Sequence, residues 1–575
     1  MNAAVQGRQA LLAWEAAKPR NFFSADSNLQ AVLRRLLSPE DYEALLPRAL
    51  ALGEQAATII DEACKQEDKI GNHPRLERWS ALGERIEQIE FHPNHHAVGR
   101  LVWGSGIMAM QAQAGRTVQQ MALYYLLGHN GEGGTMCALA CTSGLIRALQ
   151  RAADEATRAR FLPPLLRTDY EQMEQGAQFL TEVQGGSDVG ANAVQARLGE
   201  DGLWRVSGEK WFCSNVNAEQ YLMTARATEA DGTRGLGLFL VPRTLEDGTT
   251  NSFYIRRLKD KLGTRTLASA ELDFRDAIAH PVGPIETGFK TVVELVLNTS
   301  RLMNAVACAG IMRRAYYEAA HYACHRVAFG QSIANYPLVQ EAIADILSEA
   351  SAATASSFYL AHLLDKAETG RASADELAIY RLLVNINKYV TSVRASEAVH
   401  RAIEVLGGNG AIESFSVLPR LYRDMVVLES WEGTHNVLAL QVLRDIARYR
   451  LHEPFLARWQ ASLSATAHSA LRPWADEALR AAERTQSMLA RLLAHSHKRQ
   501  DEAYAQAHAR RLMDALAHLA QAALLLEEAE WELSNGPTSK PDVAAYFIQR
   551  RLLPNYDPLS DDEYLPRLQR LATTI

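Results

Sequence analysis

The stretch best equipped for chemistry sets a carboxylate between an indole and a glycine: Leu428-Glu429-Ser430-Trp431-Glu432-Gly433-Thr434-His435-Asn436. The apolar approach Met425-Val426-Val427-Leu428 brings Glu432 toward dry surroundings. There desolvation raises a carboxylate's pKa toward that of a useful general base. Gly433 has no side chain to bar a ligand's carbonyl. Thr434 or Asn436 can cap an apolar helix that begins at Val437, and such a helix N-terminus attracts an anion. Seen alone, the same residues also read as a loop-to-helix junction with a solvated glutamate.

Three other stretches call for a ligand with phosphates and a flat ring. In Thr181-Glu182-Val183-Gln184-Gly185-Gly186-Ser187-Asp188 a strand end meets two glycines and a hydroxyl. Bare N–H groups beside a side-chain donor suit a pyrophosphate or a flavin edge; a Gly-rich bend between strands is the equal alternative. Gly208 to Asn215 places Trp211, Phe212 and Ser214 on one strand, where a half-buried strand with an aromatic in the core is the plainer reading. Val405-Leu406-Gly407-Gly408-Asn409-Gly410 ends a helix and could be a C-cap. His92, His95 and His96 lie close together, but no carboxylate or thiolate at helical spacing completes a ligand set and Pro93 breaks the face, so no metal site is expected.

The elements that must position these residues change along the chain. Apolar residues recur at three- and four-residue spacing through residues 1–175, predicting a helical domain. Short strand-type runs separated by turn residues fill 176–286, predicting a β-domain. Helical periodicity returns over 287–450, with stretches at 289–328, 337–367, 374–406 and 436–449 that suggest a four-helix bundle. A fourth, alanine-rich helical segment occupies 451–575.

The net charge of −7 offers no general attraction to nucleic acid or an anionic membrane. After Leu451, 14 Lys/Arg stand against 16 Asp/Glu, so the last segment has no basic footprint; the pairs Arg510-Arg511 and Arg550-Arg551 leave room for a local strip. Met1 to Arg20 has no apolar core of a signal peptide, and no apolar run approaches the ~18 residues of a membrane span. Six cysteines, including Cys137 and Cys141 four apart, are expected as buried free thiols in a reducing cytoplasm.

Taken together, the motifs resemble the acyl-CoA dehydrogenases in order and spacing from about residue 80 to 450. The resemblance implies an α+β acyl-CoA dehydrogenase fold: N-terminal helical domain, middle β-barrel, four-helix bundle. It implies FAD, a homotetramer, an acyl-CoA substrate, and electron-transfer flavoprotein as electron acceptor. Glu432 would remove the α-proton and flavin N5 would take the β-hydride, giving the trans-2-enoyl-CoA. Thr181, Gly186, Ser187, Phe212 and Ser214 would line the flavin, with Ser187 also at the substrate mouth. Arg326 and Phe329 would reach a neighbouring subunit's FAD beside Gly407, Gly408 and Gly410. Thr434 and Asn436 would bind the ADP half; Asn298, Arg301 and Gly433 would meet the substrate. The chain departs from the family at Tyr336-Pro337, at Asn298 in place of an acid, and at Trp431 in place of a tyrosine. With the extra C-terminal domain, these features look most like the AidB branch. The alternative it brings is a flavoprotein of weak dehydrogenase activity, acting in DNA protection or acyl-CoA binding.

Overall fold

The computed structural model describes residues 3–499 and 502–574. The N-terminal region is built of helices with explicit starts. Asp26 accepts from the Leu29 amide to open Ser27–Leu36, and Ser38 accepts from the Asp41 amide to open Pro39–Ala57, with Pro39 in the first turn. The structure adds a hairpin absent from the sequence reading: strands β1 (Arg75–Trp79) and β2 (Arg85–Glu90), paired Arg75↔Glu90. Helices α1 (Thr117–Gly128) and α2 (Met136–Arg151) are buried almost all round, as helices in the middle of a large protein are.

Strands β3 (Gly176–Phe179), β4 (Gln195–Leu198), β5 (Trp204–Ser214), β6 (Gln220–Arg226), β7 (Leu236–Pro242), β8 (Phe253–Leu258) and β9 (Ser269–Pro281) form one sheet. The path β6-β4-β5-β9-β7 closes when β7 pairs back onto β6, Tyr221 opposite Val241, so the sheet is a small barrel. Strand β3 extends it in parallel from β6, and β8 pairs with β9. Phe179, Val206, Tyr221, Phe239, Phe253 and Leu272 fill its interior. The register of β5 against β9 breaks between Lys210 and Cys213. A bulge there re-aims side chains, and Trp211 and Phe212 are the residues it carries.

The bundle follows. Its first helix does not run unbroken from residue 289: a short helix (Gly288–Thr291) and a π-helical turn (Val292–Leu297) precede the regular α3 (Asn298–His325). By length and composition Ile285–His325 could cross a membrane, contrary to the sequence expectation, yet 89% of its apolar window is buried within the protein. It is the bundle's core helix. Helices α4 (Pro337–Glu368) and α5 (Ala374–Leu406, opened by a Ser373/Glu376 capping box) pack on α3 and on each other. Helix α6 (Leu418–Leu428) leads to α7 (His435–Tyr449), which packs on α5 and on α8 (Glu502–Asn535) of the C-terminal region. That region also holds His452–Ala465, Arg472–Arg499, Lys540–Arg551 and Tyr564–Ala572. Its contacts with the bundle are specific: Tyr389 Oη donates to Asp514 (3.1 Å) and Tyr546 Oη to Asp345 (2.7 Å).

Candidate active site

Between α6 and α7 the chain turns through two residues of positive φ, Glu432 (57°) and Gly433 (104°). Glycine accepts this freely; a glutamate there is strained by roughly 1–2 kcal/mol. Side chains from α3 and α5 hold the turn by its carbonyls. Asn304 Nδ2 donates to Leu428 O (3.1 Å) and Arg301 Nε to Glu432 O (3.0 Å). Lys388 Nζ donates to both Glu429 O (2.7 Å) and Gly433 O (3.1 Å). Arg301 also donates to Asn298 Oδ1 (3.2 Å) and Asn385 Oδ1 (2.7 Å).

Burial pushes the Glu432 carboxyl above its ordinary range, while the charges of Arg301 and Lys388 pull the other way. Burial also lowers the two cations, Arg301 to about 10 and Lys388 to about 8. Glu429, the rival carboxylate, accepts from the Ser396 hydroxyl and lies 3.9 Å from His435 Nε2. Burial drops His435 to about 4, so it is neutral at ordinary pH.

Trp431 packs with Cys137, Cys141 and Leu267 in a small apolar cluster and also against the main core. The two thiols are unpaired, their sulfurs 3.8 Å apart. The Cys141 sulfur and burial raise the Cys137 thiol, and the charges of Glu132 and Glu432 add to that rise. Two residues beyond Leu267, Ser269 Oγ lies 2.9 Å from Ser214 Oγ and accepts from Lys261 Nζ at 3.0 Å. Apolar cluster and hydroxyl wall are thus joined by one short segment. On that wall Phe212 is 54% exposed on its bulge, with Lys259 Nζ 4.8 Å from its ring centre. The adjoining turn is anchored by Glu182, which accepts from the Ala193 amide (2.6 Å) and Lys210 Nζ (2.8 Å). A Cβ at Gly186 would lie 2.5 Å from Thr181 Oγ1, so a side chain there would displace Thr181; Ser187 beside it is exposed.

This arrangement agrees with three family profiles. Residues 14–172 match "Adaptive response protein AidB N-terminal domain", 177–277 "Acyl-CoA dehydrogenase, middle domain" and 286–447 "Acyl-CoA dehydrogenase, C-terminal domain". The chain is 32% identical to acyl-CoA dehydrogenase family member 11 of Caenorhabditis elegans, covering 74% of this chain and 70% of that protein. It is 34% identical to the putative acyl-CoA dehydrogenase AidB of Escherichia coli K12, covering 65% and 69%. The crystal structure of C. elegans ACDH-11 in complex with C11-CoA superposes with TM-score 0.86 at 28% identity, over 92% of this chain and 91% of that one. The chain belongs to the acyl-CoA dehydrogenase family. Its place is the AidB-like branch.

The family's residues fall in two groups on this acyl-CoA dehydrogenase. One comprises Glu432 with Gly433, Thr434 and Asn436 after it in the chain, together with Thr181, Gly186, Ser187, Phe212 and Ser214 on the barrel. The other sits where α3 and α5 end. Gly407, Gly408 and Gly410 form a 3-10 turn after α5, tied to α3 through Asn409 Nδ2 and Tyr322 Oη (3.1 Å). Arg326 is exposed, and Phe329 is 97% exposed at the tip of a small hairpin, with φ 51°. Along α5 the 11 residues from Ser396 to Gly407 amount to about 16 Å, so the second group is remote from the first within one chain.

Three expectations need correction. Arg301 and Asn298 do not open toward a CoA chain: both are buried, and the guanidinium is engaged by the base loop and Asn385. Thr434 is the N-cap of α7, which starts at His435 rather than Val437, but its hydroxyl caps nothing. Asn436 Oδ1 accepts from Arg510 Nε (2.9 Å), a residue of the C-terminal region that sequence reasoning read only as half of a charge pair. Reasoning from sequence also missed Lys388, Asn304, Lys261, Ser269, Glu182 and Lys210. Lys388 carried a signal: a lysine inside the apolar helical run Leu382–Val390 has to find buried partners.

Proposed function

We propose that this protein is an FAD-dependent acyl-CoA dehydrogenase that converts an acyl-CoA thioester to the trans-2-enoyl-CoA, with Glu432 as the base. The observation that carries the reading is a desolvated carboxylate on a clamped turn, whose neighbour Trp431 packs on Cys137, Cys141 and Leu267, two residues before the Ser269 that meets Ser214. The residues present fit the cofactor. Phe212 offers a half-exposed ring for a flat heterocycle, and Ser214, two residues on, a hydroxyl shared with Ser269. The Gly186 amide donates to no backbone carbonyl among the described residues, and the N-terminus of α7 has no side-chain cap competing for an anion. FAD supplies, when bound, the acceptor for the hydride that leaves the substrate's β-carbon.

The chain's own residues do the rest. A thioester carbonyl acidifies the α-C–H bond, and the ionised Glu432 carboxylate takes that proton. Its raised pKa makes it a stronger base than a solvated glutamate, and the charges of Arg301 and Lys388 favour its ionised form. The Glu432 and Gly433 amides donate to no backbone carbonyl among the described residues, so they are free to hold the thioester oxygen as charge develops on it. Trp431, Leu267 and the two thiols exclude water from the base. Assembly with further copies, to a homotetramer, would cover Phe329 and bring Arg326 and the Gly407–Gly410 turn to a neighbour's cofactor. Electron-transfer flavoprotein is the acceptor we assign, and the cytoplasm the compartment. Arg550 and Arg551 bind Asp345 and Glu349 of the bundle, which leaves little of the basic strip a DNA-protecting role would use.

Anaerobic titration with acyl-CoAs of graded chain length tests the reading. Bleaching of the flavin spectrum by one chain-length class, lost in Glu432→Gln, is the expected result. A bound flavin that no acyl-CoA reduces would overturn it.

A further inference from the structure

Lys388 is wholly buried in the middle of α5, between Val384 and Val390. An ammonium taken out of water costs several kcal/mol unless its bonding is nearly complete. Among the described residues Lys388 makes no ion pair within 4 Å; its hydrogen bonds go to two carbonyls, Glu429 O and Gly433 O. Those carbonyls bracket Glu432, three residues before it and one after. A lysine needed only to cap α6 would be satisfied by Glu429 O, the first carbonyl past that helix. The second bond, to Gly433 O, reaches past the strained residue. We propose that Lys388 is a positioning residue for the base: it holds the turn that carries Glu432 by the carbonyls on either side, and its charge favours the carboxylate over the acid.

The proposal rests on Glu432 being the base. The charged and titratable groups facing Lys388 are Glu432 and Glu429 on the turn, Arg301 and Cys308 on α3, and His435 at the start of α7. Of these, Arg301 also favours ionised Glu432, and His435 is neutral. Removing the Lys388 charge therefore raises the Glu432 pKa further. An opposite charge at close range is worth about one unit or more. The acid limb of the reaction moves up by that amount, and at a pH below the shifted limb the rate falls about tenfold per unit.

The test is single-turnover flavin reduction by acyl-CoA in the FAD-loaded protein between about pH 6 and 9. Wild type, Lys388→Met, Lys388→Gln, Lys388→Arg and Glu432→Gln are compared, with flavin content as the check on folding. Lys388→Met removes charge and donors; Lys388→Gln keeps two N–H donors without charge, and decides the matter if the methionine variant does not fold. Both uncharged variants are expected to shift the acid limb up by about one unit, with Lys388→Arg staying near wild type. A wild-type limb in an uncharged variant that retains flavin, however slow, would overturn the proposal and reduce Lys388 to a helix cap. Full activity in Glu432→Gln would instead overturn the assignment of the base, whatever the Lys388 variants do.

Discussion

The turn from Thr181 to Ser187 depends on a buried ion pair whose removal has a calculable effect. Glu182 and Lys210 are 3% and 0% exposed in their side chains and 2.8 Å apart. Glu182 also accepts from the Ala193 amide (2.6 Å), the Val194 amide (3.3 Å) and Gln184 Nε2 (2.8 Å). Burial alone pushes Lys210 below its ordinary pKa, and Glu182 opposes that shift. Lys210→Met leaves a carboxylate buried without its counter-ion, which costs about 3–5 kcal/mol; Glu182→Gln leaves the ammonium, at a similar cost. The double variant buries no net charge, so its cost falls short of the sum by about 3 kcal/mol. A chain of several domains does not unfold in two states, and a urea midpoint would not report this number. Hydrogen exchange of the segment holding Ala193 and Val194 does, because those amides are the ones Glu182 binds. A loss of about 3 kcal/mol accelerates their exchange about 150-fold when opening is at equilibrium. Flavin retention should fall in the single variants and recover in part in the double. Exchange within about threefold of wild type in both single variants, or strictly additive effects, would refute the reasoning.

Glu432→Gln should abolish flavin reduction and also stabilise the protein. Its folded pKa lies above the unfolded value, so between the two the native state binds the extra proton and stability falls as pH rises. A thermal midpoint at pH 8 no higher than wild type would contradict this. Gly186→Ala forces Thr181 Oγ1 away from a new Cβ 2.5 Å distant, an overpacking cost of about 1–3 kcal/mol. Weaker FAD retention on dilution, relieved in a Thr181→Ala background, is the expected outcome. His129, wholly buried with Nδ1 donating to Tyr125 O (3.1 Å), is pushed down to about 3. The unfolded chain binds its proton near pH 6.5 and the native state does not, so stability drops by about 2 kcal/mol from pH 6.5 to 5. His129→Gln should flatten that part of the denaturation profile; an unchanged slope would exclude His129 as its source.

Local pattern made the fold legible where one interaction dominated. Strands at 236–241 and 253–256 alternate between turn residues, and the structure returns them as β7 and β8 within two residues. The hairpin β1/β2 escaped because six of its eleven residues are Arg or Glu, and its pairing rather than its composition defines it. Glu432 stood out because an isolated carboxylate after an apolar run is visible in one dimension. Its supports come from residues 301, 304, 385 and 388, more than forty positions away. Nothing in the local sequence of α3 or α5 names a partner carbonyl, so a buried lysine there announces a need without saying where it is met. The inward turn of Arg301 was hidden for the same reason: its type suits a phosphate as well as a carbonyl.

The C-terminal region finds a structural role without a ligand of its own. Helix α7 has the base turn at its N-terminus, packs on α5 along one side, and meets α8 along another. Arg510 of α8 bonds Asn436 in the first turn of α7, and Asp514, four residues on, bonds Tyr389, the neighbour of Lys388. Tyr389 in turn lies edge-on to His435, ring centres 5.2 Å apart. One helix face of the added region therefore touches both the start of α7 and the stretch of α5 that grips the turn. A base that removes a proton from carbon has to be held in place and kept dry. A second layer behind its two supporting helices restricts their motion and excludes water from that side.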